Sequence, residues 1–132
     1  MYLLDTCVIS DFVKGEKGTL EKMKNSSPQE IAVSCITVME INYGLSINPQ
    51  KAKKISPIIE ELLKSITILD FCTKEAYITA QIRAFLKENG TPIGAYDVLI
   101  GATALSAGLI LITANTKEFQ RIPDLKIMNW RF

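Results

Sequence analysis

Five short apolar runs punctuate the chain, and between them apolar residues recur every three or four positions. Tyr2 to Leu4, Ile31 to Ser34, Ile66 to Leu69, Leu109 to Thr113 and Lys126 to Met128 read as strands, the last at a sheet edge. Most are continuous runs rather than alternations, the pattern of strands covered on both faces. The intervening stretches read as helices. Thr37 stands as the cap of one that passes through Val38, Glu40 and Tyr43 and closes near Gly44. A second, from Gln50 to Lys64, buries Ile55, Ile58, Ile59 and Leu62 and is interrupted or kinked at Pro57. Thr73 caps a third that stops at Gly90, with Ile78, Ile82, Phe85 and Leu86 at i, i+4, i+7 and i+8. A fourth runs from Ala95 to Ala107 and ends at Gly108. Strands alternating with helices imply right-handed crossovers and a mainly parallel sheet between helical layers. With no repeat, linker or low-complexity tract, residues 1–132 read as one α/β domain.

Composition narrows the chemistry. At 132 residues and 48% hydrophobic content, the chain has enough apolar matter for one core without disulfides. Cys7, Cys35 and Cys72 are odd in number and form no CxxC pair, so reduced, mostly buried thiols and a cytoplasmic location are expected. No run approaches the roughly 20 apolar residues of a membrane span, and Met1 to Leu4 has no basic leader pattern. The formal net charge of +1 leaves a polyanionic partner open, because such binding needs a local basic patch rather than a basic total. The chain contains no histidine. That removes Ser-His-Asp hydrolysis, HExxH zinc chemistry and nucleases built on a histidine pair. No Gly-rich nucleotide-binding motif occurs either.

Carboxylates remain. Ligands of open parallel sheets bind at the carboxyl ends of the strands, where Asp5 closes the first strand and Thr113 and Asn115 close the fourth. Glu40 lies early in the helix after the second strand. Asp97 lies in the first turn of its helix, brought to the same edge by the Gly90 to Gly94 loop. Crowded carboxylates repel one another and resist desolvation unless a cation neutralises them. An all-oxygen set suits magnesium, or manganese in its place, and such ions hydrolyse phosphodiesters without histidine. Each residue also has a plainer role. Asp5 can start a turn, Glu40 can complete a capping box with Thr37, and Asp97 can complement a helix dipole. Asn115 and Thr116 can be turn residues, and Thr6 a local cap.

Taken together, Leu3-Leu4-Asp5-Thr6-Cys7-Val8, Thr37-Val38-Met39-Glu40-Ile41, Pro92 through Ile100 (around Asp97) and Ile112 through Phe119 resemble the signature segments of PIN-domain nucleases. Their order and spacing resemble VapC toxins of bacterial toxin–antitoxin pairs, and the closing Ile127-Met128-Asn129-Trp130 extends the likeness across the chain. The resemblance implies a three-layer α/β/α fold, magnesium-dependent cleavage of RNA, a homodimer, and inhibition by a VapB-like antitoxin. It makes Asp5, Asp97 and Glu40 the metal-binding acids and sets Asn115 with them among the catalytic residues, where many PIN domains carry a fourth acid. Cys7 replaces an Asn common after the Asp-Thr pair. Thr6, Thr113 and Lys117 fall in the supporting positions.

Of the basic residues, Lys117 and Arg121 follow the candidate site and suit phosphate contacts. Lys51, Lys53, Lys54, Lys74, Arg83, Lys87 and Arg131 read as solvated faces. Two rivals remain: a receiver-type phosphoacceptor domain using Asp70 after Ile66 to Leu69, and a PIN-like binding module without turnover.

Overall fold

The computed structural model describes residues 1–131. Strands β1 (Tyr2–Leu4), β2 (Ile31–Ser34), β3 (Thr67–Leu69), β4 (Ile110–Ile112) and β5 (Ile127–Met128) pair in parallel, in the order β3-β2-β1-β4-β5. Helices α1 (Thr6–Lys14), α2 (Lys17–Lys24), α3 (Cys35–Ile47), α4 (Pro49–Ser65), α5 (Thr73–Glu88), α6 (Ala95–Ala107) and α7 (Thr116–Phe119) join them, with a 3-10 turn at Pro28–Glu30. Each strand lies close to its expected position. A receiver domain of the doubly wound type orders its strands 2-1-3-4-5, so this sheet is a different one. Asp70 follows the edge strand β3 and is exposed.

The continuous apolar strands work as two-faced walls, because successive side chains point to opposite sides. Leu3, Ala32 and Leu111 enter one core with Ile82 and Leu86 of α5, Val98 and Ala102 of α6, and Phe119. Leu4, Ile31, Val33 and Ile112 enter the other with Val8 and Ile9 of α1, Ile59 and Leu62 of α4, and Trp130. Two cores on opposite faces of one sheet make the three-layer α/β/α architecture. Close packing sets some glycines. A Cβ at Gly101 would stand 2.6 Å from Ile122 Cδ1, and one at Gly18 would stand 2.4 Å from the Trp130 carbonyl oxygen. Gly18 therefore lets the C-terminal segment lie against α2.

Several helix details differ from the sequence reading. Ser34 caps α3, accepting from the Ile36 N–H at 3.0 Å, so the helix starts ahead of Thr37. Thr37 is buried inside it, and the helix passes Gly44 to reach Ile47. Gly44 has no positive φ, so nothing there ends the helix. The α5 cap is Cys72 rather than Thr73, with the Cys72 N–H donating to Glu75 Oε1 at 2.9 Å. Helix α4 runs through Pro57. Its Ile58 is 44% exposed and Phe85 of α5 is 41% exposed. The buried face of α5 is Thr79, Ile82 and Leu86, which places Phe85 on the flank. The thiols are also less buried than expected: Cys7 and Cys72 are exposed and Cys35 half-buried.

Candidate active site

In the order β3-β2-β1-β4-β5, the connection leaving β1 runs toward β2 and the one leaving β4 runs toward β5, so the direction reverses between β1 and β4. The crevice at the carboxyl ends of β1 and β4 is the place where such sheets bind ligands. Asp5 immediately follows β1. Its backbone N–H continues the ladder to the Ile112 carbonyl at 3.1 Å, and its Oδ1 caps α1 by accepting from the Val8 N–H at 3.0 Å. The plain capping role is therefore real, and it fixes this carboxylate at the crevice. Burial pushes its pKa up to about 6, against opposing hydrogen bonds from the Thr113 side chain and the Val8 N–H. Thr113 is itself fully buried, and its hydroxyl oxygen accepts from the Asn115 N–H at 2.9 Å.

Glu40 arrives from α3, but not as a capping residue. The Thr6 hydroxyl donates to Glu40 Oε1 at 2.6 Å, with the Thr37 hydroxyl 3.3 Å from Thr6. Because Ser34 already caps α3, the Thr37–Glu40 capping box does not form, and Glu40 is tied across to α1 instead.

Asp97 is the third residue of α6. One of its carboxylate oxygens would lie 3.3 Å from a Cβ at Gly94, so a side chain there would press on it. Its pKa is pushed up to about 6, first by desolvation and then by the carboxylates of Asp5, Glu118 and Glu40, with a Glu118 hydrogen bond adding to the shift. Acids from four parts of the sequence thus share one field. Glu118, whose sequence position suits either compensation for the neutral Asn115 or a solvated role, belongs to the cluster. Its Oε2 accepts from Asn115 Nδ2 at 2.7 Å, so the neutral Asn115 holds an acid in place. The available signal was spacing: residues three apart face each other across one turn of α7.

Asp11 was missed altogether, hidden in the apolar run of α1. It is buried and held by Arg131 through Nε at 2.8 Å and a terminal nitrogen at 2.9 Å. Arg131 is therefore a bidentate partner rather than a solvated residue. It balances the charge of Asp11, a carboxylate that adds to the upward shift of Asp5. The Cys7 thiol is pushed up to about 11, by desolvation and then by Asp5 and Asp97, which keeps it protonated rather than nucleophilic. Lys117 is exposed on α7, and Arg121 donates to the Pro92 carbonyl at 3.1 Å.

Among the described residues, no three acidic, Cys or His side chains stand close enough to enclose an ion alone. The donors are all oxygens, and two are carboxylates that desolvation and mutual repulsion drive toward protonation. A magnesium ion held by one or two carboxylates, with water completing its shell, suits that set.

A parallel α/β/α sheet with acids gathered at its switch point defines a class of metal-site candidates. Along almost its whole length the chain is similar to known proteins. The PIN domain family model matches residues 2–125. The chain is 33% identical to the tRNA(fMet)-specific endonuclease VapC of Salmonella typhimurium, covering 98% of this chain and 97% of that one. It is 36% identical to Ribonuclease VapC2 of Haemophilus influenzae over the same shares. The VapBC2 structure from Rickettsia felis, bound to a promoter DNA fragment, superposes with a TM-score of 0.89 at 30% identity, covering 98% of each chain. The chain belongs to the PIN-domain family, among its VapC members.

Proposed function

We propose that this protein is a magnesium-dependent endoribonuclease and the toxin of a toxin–antitoxin pair. The observation that carries the reading is the convergence of Asp5, Glu40 and Asp97, two of them with pKa values raised to about 6. Asp5 and Asp97 would hold the ion, with Glu40 as the third acid. When bound, the ion neutralises these carboxylates, polarises the scissile phosphodiester and makes water a better nucleophile. Thr113 and the start of α1 fix Asp5, while Thr6 fixes one oxygen of Glu40 and leaves the other to orient water. Asn115 holds Glu118 beside Asp97. Lys117 is exposed beside the site for contact with phosphate. A binding module without turnover would not need this accumulation of mutually repelling acids.

The test is purified protein incubated with total RNA and with the initiator transfer RNA named for the Salmonella relative, followed by mapping of cleavage ends. Magnesium or manganese is expected to support cleavage, and excess chelator to remove it. Undiminished cleavage in chelator after dialysis would end the metal mechanism.

The partner follows from the same charge. An arginine from a VapB-like antitoxin, inserted among Asp5, Glu40 and Asp97, would substitute for the cation and exclude phosphate. A groove between α1, α3 and α4, lined by Val13, Leu45 and Ile55, leads to Glu40 and suits the apolar part of such a partner. Ile9 forms part of its wall but is a core residue, and Phe12 faces a separate hollow with Leu20 and Met23. The protein would act in the cytoplasm as a homodimer. Met39, Tyr43 and Ile47, exposed at successive turns of α3, form an apolar strip for the second copy. No described helix is long and apolar enough to cross a membrane. Coexpression with the neighbouring gene's product is expected to yield a complex with suppressed cleavage, restored when the inserted arginine becomes alanine. A complex that cleaves as fast as the free chain would refute inhibition by this route.

A further inference from the structure

We propose that the cleft between the end of α5 and the start of α6 carries single-stranded RNA to the acidic site. Arg83 and Lys87 hold its phosphates there, and Tyr96 stacks a base. The inference rests on the ribonuclease reading and adds the substrate's path to it.

The cleft measures about 900 Å³ and is bounded by Arg83, Lys87, Pro92 and Tyr96 over an apolar floor that includes Leu86 and Val98. It exists because α5 and α6 pack antiparallel: Glu75 near the start of α5 accepts from Ser106 near the end of α6. The end of α5 therefore lies beside the start of α6, the end that bears Asp97. Arg83 and Lys87 stand one helical turn apart and are exposed. Among the described residues neither has a carboxylate within ion-pair distance, the one ion pair there being Arg131 with Asp11. Tyr96 is 51% exposed and directly precedes Asp97 in the chain. At the rim, Arg121 spends one N–H on the Pro92 carbonyl, which brings its remaining donors to the loop between the two helices.

Phosphate-binding cations beside an exposed aromatic ring are the components of single-strand recognition, and sequence-specific RNA recognition mostly targets unpaired bases. The arrangement also answers an electrostatic difficulty. Carboxylates at the site repel RNA, so a chain of net charge +1 needs its unpaired cations close to the point of cleavage.

The test measures binding without turnover, using the full-length protein in excess chelator and a fluorescent 20-nucleotide single-stranded RNA of mixed sequence. Anisotropy is followed across a salt series. The double variant Arg83→Ala, Lys87→Ala is expected to bind roughly 10-fold more weakly. Its log–log salt slope should be shallower by about 1.4, from two lost contacts at about 0.7 each. Tyr96→Ala should weaken binding roughly 10-fold with the slope unchanged, and Tyr96→Phe should restore it. Unchanged affinity and slope in these variants, with wild-type protein binding and cleaving RNA, would overturn the path and leave the nuclease standing. A change in oligomeric mass with RNA affinity unaffected would also overturn it, making the cleft an interface between copies. Wild-type protein that neither binds nor cleaves RNA would sink both readings.

Discussion

Replacing Asp5 by Asn is expected to abolish RNA cleavage and, in chelator at neutral pH, to make the protein more stable. The loss follows from removing a charge that would hold the ion. A deficit of about 4 kcal/mol in transition-state stabilisation corresponds to roughly a thousand-fold in rate. The gain follows from the Asp5 pKa. Burial raises it from 3.8 to about 6, so the folded state holds its proton more tightly than the unfolded chain. Between those values folding takes up a proton, and stability therefore falls as pH rises through the window. The penalty is absent below pH 3.8 and complete above about 6, where two pKa units amount to at most about 3 kcal/mol. Asn carries no such charge and keeps the oxygen that accepts the Val8 N–H, a favourable helix cap. Its amide must find an acceptor near Thr113, which leaves an expected net gain of about 1–2 kcal/mol at pH 7. Urea melts of both proteins at pH 3.5 and pH 7 are the measurement. The difference should appear at pH 7 and vanish at pH 3.5. A variant less stable at both pH values would make Asp5 a structural acid. Asp97→Asn should lose activity equally, but its stability gain should be smaller because the half-buried carboxylate is partly screened by solvent.

How far the sequence reveals this protein depends on what each feature requires. Strands were legible because parallel strands covered on both faces need uninterrupted apolar runs, and Leu3-Leu4 and Leu111-Ile112 serve one core each in turn. Helix ends were less legible, because Ser34 and Thr37 are chemically equivalent caps and only the backbone's departure from β2 decides between them. Asp5 and Asp97 could be placed by topology, being at a strand end and a helix start. Glu118 and Asp11 could not. The first depends on the orientation of a four-residue helix, and the second on Arg131 arriving from 120 positions away. Arg83, Lys87 and Tyr96 resemble ordinary surface residues until α5 and α6 are seen to meet end to start.

Glu40 gives the sharpest separation between scaffold and chemistry, and Glu40→Gln is expected to cut the rate roughly 100-fold or more while leaving stability within about 0.5 kcal/mol. Had Glu40 completed a capping box, Gln would have preserved function, since its side-chain oxygen can accept the same bond. That option is closed because Ser34 caps α3 and Glu40 accepts from Thr6 instead. Gln can still accept the Thr6 hydroxyl through its amide oxygen, so the anchor survives and only the charge is lost. Thr6→Val makes the opposite change, keeping the charge and removing the anchor, and should cost roughly 10-fold, as loss of a group that orients a ligand does. Thr6→Ser should restore most of that loss. If Thr6 acts through Glu40, the double variant Thr6→Val, Glu40→Gln will be little slower than Glu40→Gln alone, because the anchor then positions a group already silenced. Full multiplication of the two defects would show that Thr6 contributes independently of Glu40. A Glu40→Gln enzyme turning over at the wild-type rate would remove Glu40 from the chemistry and leave Asp5, Asp97 and Glu118 as the working acids.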